Sequence, residues 1–170
     1  MTESNDFSYA LWQLVIHTSY TMKRARQREL LQFGITFRNS AVLSTIIRLG
    51  DEATLSNIAQ QLILEKNSMS AQLTRMEKEG IIKKVKDPKK KNLMSITLTN
   101  KGHELYVKGL ERNAINSVMS TLTEDEKQAL WAILAKLRDK SMIELGKESV
   151  NLYPPSEPVK LTLTAQREGV

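Results

Sequence analysis

Apolar residues recur at helical spacing along most of the chain, switch once to strict alternation, and then return to helical spacing. From Asp6 to about Leu31, Phe7, Leu11, Leu14, Val15, Thr18 and Met22 form one stripe of a long helix, and Tyr9, Trp12, Ile16 and Tyr20 form a second. A helix apolar on two sides must be covered on two sides, by its own domain and by something else, for which another subunit is the simplest cover. The polar Met1 to Asn5 is expected to fray. Phe33, Gly34 and Ile35 break the pattern. Phe37, Ala41, Val42, Leu43, Ile46, Ile47 and Leu49 then make a core-facing helix that Gly50 and Asp51 end, and Glu52 to Thr54 reads as a short extended piece.

The stretch from Leu55 to Leu98 organises the rest. Leu55, Ile58, Ala59 and Leu62 put one apolar face on a short helix, and Ile63 to Lys66 suits the tight connection of a helix-turn-helix. A second helix, from about Asn67 to Glu79, turns Met69, Leu73 and Met76 inward. Its outward face carries Ser68, Ser70, Ala71, Thr74, Arg75 and Lys78. Small side chains let a helix approach a groove closely, and the Arg75 guanidinium can make two parallel hydrogen bonds to a base edge. Gly80 supplies the positive φ that stops this helix. From Ile81 the period is two, with Val85 on one arm and Met94, Ile96 and Leu98 on the other of a hairpin broken at Asp87-Pro88.

After the hairpin, Thr99 or Asn100 can cap a helix to about Ser120, with Leu105, Leu110, Ala114, Ile115, Val118 and Met119 as its apolar set. Thr123 with Glu126 reads as a capping box for a last helix to about Leu145, where Leu130, Trp131, Ile133, Leu134 and Leu137 exceed one stripe. From Val150 the chain contains Pro154, Pro155 and Pro158, which exclude a helix there, and then an alternating VKLTLT that suits either a short strand or a flexible extension.

Charge changes the picture. Between Lys83 and Lys91, Lys83, Lys84, Lys86, Lys89, Lys90 and Lys91 stand against Asp87, a net +5 in a chain of net +6. So concentrated a balance fits an electrostatic footprint for a polyanion; the alternative is a solvated turn kept lysine-rich to discourage edge pairing. Lys23, Arg24, Arg26 and Arg28 close the first helix, where cations complement the helix dipole and read as a solvated end, with a phosphate contact as the other option.

AVLSTI (Ala41 to Ile46), LSNIAQQL, and RMEKEGIIKKVKDPKKKNLMSITLTNKG (Arg75 to Gly102) together resemble the MarR family of transcription regulators. In that family the recognition helix ends in R-L-E-x-x-G-L, matched by Arg75, Met76, Glu77, Gly80 and Ile81, and the second wing strand runs into L-T-x-x-G, matched by Leu98, Thr99 and Gly102. The wing departs from the family's D-x-R-[DE]-x-R: Lys89 stands in place of the minor-groove arginine, Lys90 replaces the acidic residue that would brace it, and Asn92 closes the motif. Lysine keeps the charge and loses the planar fork, so this wing is expected to grip phosphates more than it reads groove width.

The resemblance spans roughly residues 8 to 145. It implies a mainly α (α+β) fold, a winged helix-turn-helix flanked by dimerisation helices, with its first small strand at Glu52 to Thr54. The organisation would be 1–34 as an N-terminal dimerisation helix, 35–99 as the DNA-binding domain, 100–146 as C-terminal dimerisation helices and 147–170 as a tail. It further implies a homodimer on double-stranded DNA, repressing a pseudo-palindromic operator through Asn67, Ser68, Ser70, Ala71, Thr74, Arg75 and Lys78 of the helix and Lys84, Lys86, Lys89, Lys90 and Lys91 of the wing. A small apolar or phenolic effector would sit in a crevice between dimer helices and winged lobe, with Trp12, His17 and Tyr20 as candidate contacts against the plainer role of interface packing. A packaging protein without sequence preference, or a winged helix that binds a protein partner, would show much of the same pattern.

Composition narrows the field. Cysteine is absent, which excludes disulfides, thiolate metal sites and cysteine-based sensing. His17 and His103 lack any metal-pair spacing, so no metal and no cofactor are expected. No nucleophile elbow or glycine-rich phosphate loop occurs, and no enzyme is expected. No apolar run nears the roughly 20 residues of a membrane span and no signal peptide opens the chain, so a cytoplasmic protein is expected.

Overall fold

The computed structural model describes residues 3–86 and 94–147. Among the described residues seven α-helices and one pair of strands follow in order: α1 (Glu3–Leu31), α2 (Phe37–Leu49), α3 (Leu55–Gln61), α4 (Lys66–Lys78), β1 (Ile82–Lys86), β2 (Met94–Leu98), α5 (Asn100–Lys108), α6 (Asn113–Met119) and α7 (Glu124–Glu144). Threonines start four of the helices. Thr36, Thr54, Thr99 and Thr123 each accept a hydrogen bond from a backbone N–H in the first turn, and Thr123 with Glu126 completes the reciprocal capping box.

The core lies inside the α2–β2 unit. Val42 and Leu43 from α2, Ile58 from α3, and Met69, Leu73 and Met76 from α4 are fully buried, and Ile82, Ile96 and Leu98 close the bottom from the sheet. Side chains of this size contribute about 1.5–3 kcal/mol each on burial, enough to fix the orientation of a 13-residue helix such as α4. β1 and β2 pair antiparallel, Ile82 opposite Leu98 and Lys86 opposite Met94.

Several expectations are revised. Glu52 to Thr54 is no strand: a 3-10 turn over Gly50–Glu52 leads to Ala53, whose carbonyl accepts one bond from Ile96 N–H at 2.7 Å. Thr54 is already committed to capping α3, which leaves no length for a ladder. Val85 does not face inward. With Ile82 on the core side, alternation sends Val85 to the opposite face, where it is exposed, and Met94 lies beyond the core's edge and is exposed too. The helix foreseen to Ser120 is two helices, because Arg26 of α1 donates to the carbonyls of Gly109 and Glu111, groups that a continuing helix would have kept for itself. Arg26 is accordingly buried, not a solvated cation at a helix end. Helix α1 begins at Glu3, inside the segment expected to fray. The wing tip with Lys89, Lys90 and Lys91, and the tail beyond Lys147, lie outside the described residues.

Helices α1, α6 and α7 stand apart from this core. Phe7, Tyr9, Trp12, Leu14, Ile16 and Tyr20 on α1, and Trp131, Ile133, Leu137 and Ile143 on α7, are exposed in the single chain.

Candidate nucleic-acid interface and effector crevice

Helix α4 is reached through a turn in which Ile63 adopts φ 54°, a left-handed conformation costly for a β-branched residue. The turn is pinned by Leu64 N–H donating to the Ala59 carbonyl at 2.9 Å. With Met69, Leu73 and Met76 anchored in the core, Asn67, Ser68, Ser70, Ala71, Thr74, Arg75 and Lys78 all emerge on the exposed side of α4. Gly80, at φ 68°, ends the turn after the helix, and Lys101 Nζ donates to the Glu79 carbonyl at 2.8 Å, a cation set against the helix's negative end.

Two neighbours of this face come from elsewhere in the chain. Arg38, exposed in the first turn of α2, donates through Nη2 to Ser68 Oγ at 2.7 Å, so the entrance of α4 carries a guanidinium that its own sequence does not supply. No spacing signal links positions 38 and 68; only the tertiary fold brings them together. Within the wing, Lys84 differs from Lys83 and Lys86. Its Nζ lies 2.7 Å from Glu77 Oε2 on α4, and that hydrogen bond holds the Glu77 carboxyl below its ordinary value. Glu77 thus braces α4 against β1. Lys83 and Lys86 are exposed on β1.

On the other side of the chain, α1, α6, α7 and the start of α2 line a crevice of about 760 Å³. Leu11, Leu14, Val15 and Met22 of α1, Phe37 of α2 and Leu134 of α7 give it apolar walls, and Lys23 and Arg26 also line it. Trp12, His17 and Tyr20 are not in it. They lie with Gln13 and Ile16 around a shallow depression of about 450 Å³, because positions 12, 16 and 20 form the other stripe of α1. Among the described residues there is no cluster of three or more potential metal ligands, and no helix long and apolar enough to cross a membrane.

A short helix, a tight turn, a second helix polar on its outer face and a basic hairpin braced against it constitute a winged helix-turn-helix. No protein-family model matches the chain. The structure is similar to that of the organohalide-sensing transcriptional regulator RdhR in its 2,4-dichlorophenol-bound form (TM-score 0.77, 29% identity, covering 87% of this chain and 90% of that one). It is also similar to S. aureus MepR in complex with DNA (TM-score 0.66, 25% identity, covering 74% and 93%). In sequence it is similar to an uncharacterised HTH-type transcriptional regulator of Bacillus anthracis, 28% identical over 148 residues that cover 85% of this chain and 98% of the relative. These structural neighbours are MarR-family regulators, and the chain shares their winged helix-turn-helix fold.

Proposed function

We propose that this protein is a homodimeric, sequence-specific DNA-binding repressor of a pseudo-palindromic operator, released by a small apolar or phenolic effector, and that it catalyses no reaction. The observation that carries the reading is the two-sidedness of α4: Met69, Leu73 and Met76 are 0% exposed, while every polar residue expected to face DNA projects from the other side, beside Arg38 and ahead of the lysine hairpin. A helix so anchored can lie in a major groove with Arg75 against a base edge while Lys86, Lys89, Lys90 and Lys91 meet flanking phosphates. The relative MepR solved with DNA supports the partner.

Two-fold pairing is supported by the exposed aromatics of α1 and α7, which water solvates poorly and a second copy would cover. It would set the half-sites about one DNA turn, ~34–36 Å, apart. The crevice supports an effector with an apolar body and an anionic or phenolic end, its body among Leu11, Leu14 and Phe37 and its polar end toward Lys23. The 2,4-dichlorophenol bound to the relative RdhR is of that chemistry.

The test is a footprint on the DNA upstream of the protein's own gene, at near-physiological salt with excess competitor DNA. A protected, roughly palindromic patch is expected. Diffuse, salt-sensitive coating would replace the reading with that of a packaging protein.

A further inference from the structure

The wall of the crevice and the hold on the recognition helix meet in three consecutive residues. Phe37 opens α2 and lines the crevice; Lys23 Nζ lies 5.4 Å from its ring centroid, and its N–H donates to Gln27 Oε1 at 2.7 Å, both partners being on α1. The next two side chains reach α4. Arg38 donates to Ser68 Oγ, and Asn39 Oδ1 accepts from Gln72 Nε2. Ser68 and Gln72 are one helical turn apart, so the first turn of α2 holds two successive turns of the recognition helix.

Gln72 is 6% exposed, and an unpaired side-chain amide there would carry a desolvation penalty that its bond to Asn39 removes. Apolar packing of Met69, Leu73 and Met76 tolerates small sliding; a buried amide with a single acceptor does not. Asn39 therefore sets the register of α4 along α2, and it stands two residues from the crevice wall.

We propose that Asn39 and Gln72, assisted by Arg38 and Ser68, are positioning residues that transmit occupancy of the crevice to the recognition helix. A body that displaces Phe37 shifts the first turn of α2, and the two polar links shift α4 with it. This rests on the reading of the crevice as an effector site and of α4 as the DNA-reading helix.

The test is amide hydrogen exchange of the full chain, free of DNA and effector, for Phe37→Leu, Asn39→Leu, their double variant, and Asn39→Asp. Each single Leu variant is expected to speed exchange in α4 roughly tenfold while leaving α7 unchanged, with the double variant adding little to either. Asn39→Asp keeps the acceptor and is expected to retain the parent's protection. Gln72→Met removes the same bond from the α4 side and serves where Asn39→Leu folds poorly. Multiplying effects in the double variant, an unchanged α4 in Phe37→Leu, or an Asn39→Asp that behaves like Asn39→Leu would each overturn the relay. None of those results touches the footprint, so failure of the relay and failure of the DNA reading are distinguishable.

Discussion

Arg26 on α1 and Gly109 at the end of α5 are joined by a hydrogen bond from the guanidinium Nη2 to the backbone carbonyl oxygen, across 83 positions of sequence. The same guanidinium reaches the Glu111 carbonyl and the Glu29 carboxylate, and Glu29 in turn accepts from Ala114 N–H at 3.3 Å, at the start of α6. One buried arginine thus fixes where α5 stops, where α6 begins and how both lie against α1.

Arg26→Ala is expected to lower stability by about 1.5–3 kcal/mol, since it removes one partner of a part-buried ion pair and leaves two carbonyls without their donor. Arg26→Lys should recover only part of that, because an ammonium cannot reproduce the fork. Urea denaturation reads both, and a loss under about 1 kcal/mol for Arg26→Ala would place the node in solvent.

Burial raises the Glu29 carboxyl, but the bonds from Arg26 and the backbone N–H groups of α6 outweigh it and hold the group below its ordinary 4.5. A folded-state value below the unfolded one stabilises the fold fully above the unfolded value, and that contribution is lost as pH falls through the depressed folded value. Glu29→Gln is therefore expected to be less stable than the parent at neutral pH and to approach it on acidification below 4.5. Denaturation midpoints at neutral pH and well below the carboxylate range check this, and a gap that stays constant would contradict it.

Ile63 holds φ 54° in the turn before α4 with 42% of its surface exposed, so it bears strain without being part of the buried core. Ile63→Asn, tolerant of that conformation, is expected to stabilise the fold by roughly 1 kcal/mol. A rise in thermal midpoint checks it; a fall would mean that the isoleucine's packing outweighs the strain.

A Cβ on Gly102 would overlap the Ile81 carbonyl oxygen, so the glycine that closes the L-T-x-x-G pattern is required for α5 to approach the root of the wing. Gly102→Ala is expected to destabilise by about 1–3 kcal/mol or more, because the obstacle is backbone and cannot rotate away. Calorimetry checks this, and near-parent stability would show that α5 can withdraw freely.

Arg75→Ala is expected to cost roughly 1–3 kcal/mol on the operator and much less on random DNA, whereas Lys84→Ala should leave the salt slope of binding nearly unchanged. The Lys84 charge is already engaged by Glu77, unlike the exposed Lys86. Titrations at several salt concentrations separate the two; equal loss on both DNAs would reduce Arg75 to a phosphate contact.

The sequence by itself determined the inward face of α4, the positive-φ stop at Gly80, the capping box at Thr123 and the surplus apolar surface of α1 and α7, because each depends on residues within a few positions of one another. The motifs around Arg75 and Gly102 likewise lie in one short stretch. Tertiary structure alone decided the burial of Arg26, the break after Lys108, the pairing of Lys84 with Glu77, the reach of Arg38 and Asn39 to α4, and which stripe of α1 lines the crevice. A residue's charge and periodicity are written locally, but whether its charge is solvated or satisfied depends on the group that packing brings across from it, and that group stands anywhere from 7 to 85 residues away.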